Sequence, residues 1–281
     1  RNSQRSGYKP IQAHQQAHKR KHRKPIKLVV GSTLYKYVLS RLKTGWSPEQ
    51  IAGRLKQGKH ANRVSHESIY QYIYRHGKAQ LFSYLPTQRA KRKARHQRKK
   101  RAFFKGIRAY KNRPFLPSER DDIGHWEGDT IRFSNNRMTS FTTLVDRKSR
   151  FLVMCKNERS LSKIVMNNMI ERLKHWPIQR CRTITFDQGS EFAACRMLER
   201  KKQCKVFYAD VSSPWQRGTN ENTNRRIRRF LPKKTKISEI QNMEIREIEY
   251  RLNNTPRKCL GFLTPYEVFY GAKDNTIALR S

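Results

Sequence analysis

The second half of the chain alternates strand and helix signals. HWEGDTIRF (125–133), TSFTTLVDR (139–147) and FLVMCKN (151–157) read as three short strands, and Asn135–Asn136 is placed to turn the first into the second. SKIVMNNMIERLKHW (162–176) repeats apolar residues at helical spacing through Ile164, Val165, Met169, Ile170 and Leu173. CRTITFD (181–187) and CKVFYAD (204–210) predict two more strands. A helix over EFAACRMLERKK (191–202) separates them, and another over GTNENTNRRIRRFL (218–231) follows them. The predicted order is β-β-β-α-β-α-β-α, without internal repeats. A three-strand meander followed by alternating strands and helices fits a mixed five-stranded sheet with helices on both faces, an α/β class. It is the order of the ribonuclease-H-like fold.

The first half predicts short helices instead. Ser32 is a cap for a helix whose apolar side is Tyr35, Val38, Leu39 and Leu42, with Gly45 near its end. In GWSPEQIAGRL (45–55), Ser47 caps, Pro48 takes the first helical position and Gln50 completes a capping box, so Ile51 and Leu55 face one way. SHESIYQYI (65–73) starts a third helix at Ser65, with Ile69 and Ile73 on one face. Three short helices in a basic segment point to a helix-turn-helix module, although the connection before the third is longer than usual.

Charge sharpens that division. The 281 residues carry a formal net charge of +42, which calls for a polyanionic partner, nucleic acid before anionic membrane. Residues 1–112 hold 30 Lys/Arg against two acids, Glu49 and Glu67, while residues 113–281 hold 33 against 19. Any carboxylate chemistry therefore lies in the second half. RAKRKARHQRKKR (89–101) holds nine Lys/Arg and no acid, a linker able to track phosphates. The expected organisation is a basic flexible arm (1–30), a helix-turn-helix region (31–85), a basic linker (86–117), a catalytic core (118–270) and a tail (271–281). His14, His18 and His22 would share one helix face, but neighbouring Lys and Arg disfavour a metal there, so a DNA-contacting arm is the better reading. The five cysteines form no CxxC pair, which argues against a zinc finger or a disulfide framework. With no long apolar run and no signal-peptide pattern, a cytoplasmic, nucleoid-associated location is expected.

Two-metal phosphoryl transfer needs converging carboxylates around ions roughly 3.5–4 Å apart. Asp129 lies on the first strand and Asp187 ends the fourth, and in the predicted topology those strands are neighbours. Glu221 lies in the first turn of the 218–231 helix, thirty-three residues beyond Asp187. Arg225 and Arg228 fall on the same helix face as Glu221, and Thr223, Ile227, Phe230 and Leu231 fall on the opposite one. Two guanidiniums beside a carboxylate suit DNA phosphates near a metal. Glu127, which shares a strand face with Asp129, and Glu191 rank below the trio.

These stretches carry a family resemblance. WSPEQIAGRL, SHESIYQYIY, GHWEGDTI, FDQGSEFA and SPWQRGTNENTNRRIRRFLPK (213–233), with LNNTPRKCLGFLTPYEVF (252–269), resemble the transposases of the bacterial insertion-sequence family thirty. The likeness spans about residues 30–270, and the block around Asn220–Glu221–Asn222 is its most specific part. It implies a ribonuclease-H-like, integrase-type core in which Asp129, Asp187 and Glu221 hold two Mg²⁺ ions, with Mn²⁺ as a substitute. It also implies that water cuts at the element's end and the freed 3′-hydroxyl attacks the target strand, without a covalent protein intermediate. Arg228 matches the basic residue that holds terminal DNA. Double-stranded DNA, as terminal inverted repeats and target, is the implied partner, bound by at least two copies of the chain. The DNA-contacting candidates are Arg217, Arg225 and Arg228 near the carboxylates, with Lys91, Arg92, Lys93, Lys99, Lys100 and Arg101 in the basic run.

Gln188 stands where the family commonly has Asn, with little expected consequence. The chain begins at Arg1, before which full-length members carry a further helix-turn-helix, so a fragment or truncated copy is expected. The alternative is an inactive, transposase-derived DNA-binding regulator. An RNA-binding structural protein explains only the charge, and a retroviral-type integrase would need a His-His-Cys-Cys module near the N-terminus.

Overall fold

A computed structural model describes residues 10–22, 28–58, 60, 63–75, 81–86, 122–134, 136–187, 189–209 and 218–271. The basic run with Lys91, Arg92, Lys93, Lys99, Lys100 and Arg101, the rest of the 87–121 stretch, Arg217, Gln188 and the 272–281 tail lie outside the described residues. The chain divides into two compact units, Arg1–Leu55 with His60–Arg92, and Lys93–Ser281 with Lys56–Lys59.

The first unit contains helices α1 (Pro10–His22), α2 (Thr33–Lys43), α3 (Pro48–Gln57) and α4 (His66–Arg75). Part of the stretch expected as a flexible arm is therefore helical. The expected caps are all present. Ser32 accepts from Tyr35 N at 3.1 Å, Ser47 and Gln50 form the reciprocal box, and Ser65 accepts from Ser68 N at 3.1 Å. Val38, Leu42, Trp46, Ile51, Leu55, Ile69 and Ile73 close a core of their own.

The second unit is built on a five-stranded sheet in the order β3-β2-β1-β4-β5. Its strands are β1 (His125–Phe133), β2 (Asn136–Asp146), β3 (Leu152–Asn157), β4 (Thr183–Phe186) and β5 (Lys205–Tyr208). β1 to β3 form an antiparallel meander, and β4 and β5 run parallel to β1. Helices α5 (Ser162–Leu173), α6 (Arg196–Lys202), α7 (Gly218–Ile227), α8 (Asn242–Asn253) and α9 (Pro265–Tyr270) complete the unit. This is the ribonuclease-H-like topology expected from the order of elements.

The period of two along each strand separates two cores. Trp126, Leu144, Val153 and Cys155 pack beneath α5 and α6 with Phe192 and Phe269. Ile131, Phe133, Phe141, Val145, Leu152 and Met154 pack beneath α7 and α8 with Ile227, Leu231, Ile245, Ile248 and Leu252. Odd-numbered positions of β1 thus face α7, and Glu127 and Asp129 are on that side.

Three helices differ from the expectation. The 191–202 segment starts as a 3-10 turn at Ser190–Phe192, and α6 begins only at Arg196, because Phe192 turns inward to stack on Phe186 at 4.3 Å. α5 stops at Leu173, since Trp176 leaves the helical path to stack on Trp126 at 5.3 Å before Pro177. α7 stops at Ile227, and the bonds from Phe230 N and Leu231 N both end on Ile227 O, ahead of Pro232. Cys155, Cys181, Cys195 and Cys204 are buried free thiols, and Cys259 is an exposed one. Among the described residues no helix is long and apolar enough to cross a membrane.

Candidate active site

β1 and β4 pair in parallel with His125 opposite Thr183, Trp126 opposite Ile184 and Glu127 opposite Thr185. Carried two residues further, the same register sets Asp129 opposite Asp187. Both are half-buried, Asp129 in the middle of β1 and Asp187 just past the carboxyl end of the neighbouring β4. Gly128 makes that neighbourhood possible. A Cβ there would lie 2.2 Å from the Phe186 ring, so only glycine lets the residue before Asp187 pack flat against β1.

Asp129 is tied to α7. Its Oδ2 accepts from Asn224 Nδ2 at 2.7 Å, and Asn224 Oδ1 accepts from the Thr143 hydroxyl at 3.2 Å. Thr143 is the cross-strand partner of Asp129 on β2. Asp187 accepts from Gly189 N at 3.1 Å. Glu191 approaches from the following turn: Glu191 Oε2 and Asp187 Oδ1 lie 2.8 and 2.9 Å from the point that a Gly189 Cβ would occupy. Both oxygens of Glu191 accept from Arg132 at 3.1 Å, where the β1–β2 register slips.

Glu221 occupies the first turn of α7, as expected, with Thr223 and Ile227 buried behind it. Its side chain is 68% exposed and pairs with Arg225 at 3.0 Å. Among the described residues, no three His, Cys, Asp or Glu side chains form a group that would hold a metal ion. The backbone therefore puts Asp129 on β1 and Asp187 just past the end of the neighbouring β4, and links the helix of Glu221 to Asp129, while the Glu221 carboxylate itself turns along the helix to Arg225. An exposed i,i+4 pair of this kind contributes only about 0.2–0.5 kcal/mol. The donor set, three carboxylates on adjoining elements, fits Mg²⁺, which keeps several waters.

Arg228 lies beyond the last turn of α7. It donates to Arg132 O at 2.6 Å and covers the Phe133 ring at 4.4 Å, and burial pulls its guanidinium below its ordinary value. Burial and, next, the charge of Arg182 hold the His125 imidazole low, where Nδ1 meets Thr183 Oγ1 at 2.8 Å.

Sequence reasoning missed Asn224 and the true place of Glu127. Glu127 is buried beneath the start of α7, and Oε2 accepts from Thr219 N at 3.1 Å and Asn220 N at 3.0 Å. Burial raises its pKa against those two bonds. Its acidic character two residues before Asp129 was visible, but its partners lie 92 and 93 residues away.

No family model matches the chain. Over 281 residues it is 35% identical to the transposase InsI of insertion sequence element IS30A from Escherichia coli (strain K12), covering 95% of this chain and 73% of that one. The transposase of element IS4351 from Bacteroides fragilis is 34% identical over 274 residues, 92% of this chain and 79% of that one. That of element IS1086 from Cupriavidus metallidurans is 33% identical over 250 residues, 86% and 74%. Among solved structures, the catalytic core domain of BIV integrase aligns with a TM-score of 0.42 and 17% identity over 53% of this chain and 94% of that one. A simian T-cell lymphotropic virus intasome chain aligns at 0.44 and 15%, over 54% and 56%.

Proposed function

The chain belongs to the IS30 family of insertion-sequence transposases, and from that premise we propose that it cuts the ends of its element and joins them to target DNA by a metal-dependent phosphoryl transfer at Asp129, Asp187 and Glu221. The observation that supports this reading is the parallel pairing of β1, which carries Asp129, with β4, which leads to Asp187, together with the bond from Asn224 on the helix of Glu221 to Asp129. Two Mg²⁺ ions, or Mn²⁺ in their place, would supply activation of the attacking oxygen and stabilisation of the leaving one.

The protein's own part is placement. Asn224 and the β1 backbone orient Asp129, the turn at Gly189 orients Asp187, and α7 delivers Glu221 from solvent. Arg225, released from Glu221 as that carboxylate moves inward, is exposed for a phosphate beside the reacting strand. Arg228 has a structural engagement already, closing the end of α7 onto β1, and its DNA contact would be made from that fixed position. Lys91, Arg92, Lys93, Lys99, Lys100, Arg101 and Arg217 supply further phosphate contacts, and helices α2 to α4 recognise the element's inverted repeats as a helix-turn-helix. Two ends must be joined in one reaction, so the active complex contains at least two copies. The protein works in the cytoplasm, where the nucleoid is.

The test is end-specific cleavage of labelled DNA from the flanking repeats, with Mg²⁺ or Mn²⁺, by the wild-type chain and by Asp187→Asn. Cleavage lost in the variant, with DNA binding kept, is the expected result. Binding without cleavage in the wild type would favour the inactive DNA-binding regulator, the reading with which the Glu221–Arg225 pair agrees.

A further inference from the structure

We infer that Glu127 is a positioning residue of the strand-cleaving site: its carboxylate caps α7 from β1 and fixes where that helix presents Glu221. This rests on the function proposed above. A helix leaves its first N–H groups without intrahelical partners, and a nearby Ser, Thr, Asp or Asn usually accepts from them. Here the acceptor is a carboxylate oxygen on a different element. Thr219 N and Asn220 N both donate to Glu127 Oε2, at 3.1 and 3.0 Å, immediately before Glu221 in the chain.

The cap is held from behind. Arg147 Nε lies 3.2 Å from Glu127 Oε1, and Arg150 donates to the Thr219 hydroxyl at 2.9 Å. Glu127 is 1% exposed, so this carboxylate is committed to the helix end. A buried ion pair seldom adds net stability over an apolar replacement, and specificity of arrangement is its better-attested use. The arrangement specified is the register of α7 on β1, because Glu127 and Asp129 face the same way two residues apart. Slipping α7 by one residue would move it about 1.5 Å along its axis and turn it by about 100°, sending Glu221 away from Asp129. Misplacement of a reacting group by about 1 Å can lower a rate by about a hundredfold.

Two substitutions separate reach from charge. Glu127→Gln keeps the length and the oxygen that meets Thr219 and Asn220, but loses the charge toward Arg147. Glu127→Asp keeps the charge but withdraws it from the helix end. Both are compared with wild type for cleavage at saturating end DNA, the Mn²⁺ concentration giving half-maximal rate, DNA affinity, thermal midpoint and amide exchange over residues 218–227. The expected order places Glu127→Gln near wild type. Glu127→Asp is expected to be slower by roughly a hundredfold, with a higher Mn²⁺ requirement and unchanged DNA affinity. Exchange at the start of α7 should quicken about tenfold in Glu127→Asp.

A merely structural ion pair predicts the reverse order, with losses following the thermal midpoint and an unshifted Mn²⁺ requirement; that result would overturn the inference. A wild-type chain that cleaves no end DNA would instead remove the functional reading. Amide exchange alone would then decide the cap, and slow exchange in Glu127→Asp would sink it as well.

Discussion

Asn224 donates to Asp129 Oδ2 at 2.7 Å, so the helix that carries Glu221 is bonded directly to the strand that carries Asp129. Asn224 is itself oriented by the Thr143 hydroxyl on β2. The contact restrains one carboxylate of the proposed site before any cation arrives. Asn224→Ala removes the donor, and a hydrogen bond to a charged group contributes about 1.5–3 kcal/mol. If half of that restraint is expressed in the reaction, cleavage falls roughly three- to tenfold while DNA affinity holds. Asn224→Asp should lose more, because two carboxylates that close cannot both ionise freely. Single-turnover cleavage at saturating DNA reads both variants, and a wild-type rate in Asn224→Ala would remove Asn224 from the site.

Gly128 should tolerate nothing larger. The Cβ of Gly128→Ala would sit 2.2 Å from Phe186 Cε1, and Phe186 cannot retreat freely because it stacks on Phe192 at 4.3 Å. Overpacking of this kind costs about 1–3 kcal/mol. Because Phe186 immediately precedes Asp187, the displaced ring should also lower cleavage. Adding Phe186→Leu should restore part of the stability lost. A double variant no more stable than Gly128→Ala would show that the clash lies elsewhere.

Much of this arrangement was legible in the sequence. The strand and helix pattern gave the order of elements, the topology that order fits made the strands leading to Asp129 and Asp187 neighbours, and apolar Ile227 marked which side of α7 faces the sheet. Local signals translated well wherever a side chain answers a backbone group a few residues away, as at Ser32, Ser47 and Ser65. The same rule holds at Thr264–Pro265–Glu267, where the reciprocal box opens α9, a helix not predicted above. What stayed hidden is tertiary. Glu127 and Asn224 act across about ninety residues, and nothing in their own neighbourhoods distinguishes a carboxylate that caps a distant helix from one that faces solvent. The break before α6 was hidden for the same reason, since it follows from where Phe192 finds Phe186.

His125 should make stability depend on pH in a defined direction. Its imidazole is buried and held below the ordinary value, first by burial and then by Arg182. The unfolded chain therefore takes up its proton at a higher pH than the folded one. The stability His125 contributes is present above the unfolded value, about 6.5, and is lost as pH falls through it toward the folded value. His125→Asn keeps a polar partner for Thr183 without a titrating ring. The gap in thermal midpoint between wild type and variant should narrow between neutral and mildly acidic pH. A constant gap would mean that the ring does not titrate differently on folding.

The basic front of the chain offers the broadest test of the proposed division of labour. Residues 1–112 hold 30 Lys/Arg and two acids, and among the described residues the core of the first unit is built from residues between Leu28 and Leu85. Among the described residues, both cores of the sheet unit draw on residues from Ile123 onward. Phosphate neutralisation releases counterions, and each contact adds about −0.9 to the slope of log affinity against log salt. Deletion of residues 1–112 should therefore weaken DNA binding, flatten that slope by several contacts, and leave the sheet unit folded with its thermal transition intact. An unchanged slope would mean that the 33 Lys/Arg of residues 113–281 carry the DNA instead. The exposed Arg225 and the cations around α7 would then be the main binding surface rather than a local one, and the first unit would need another role.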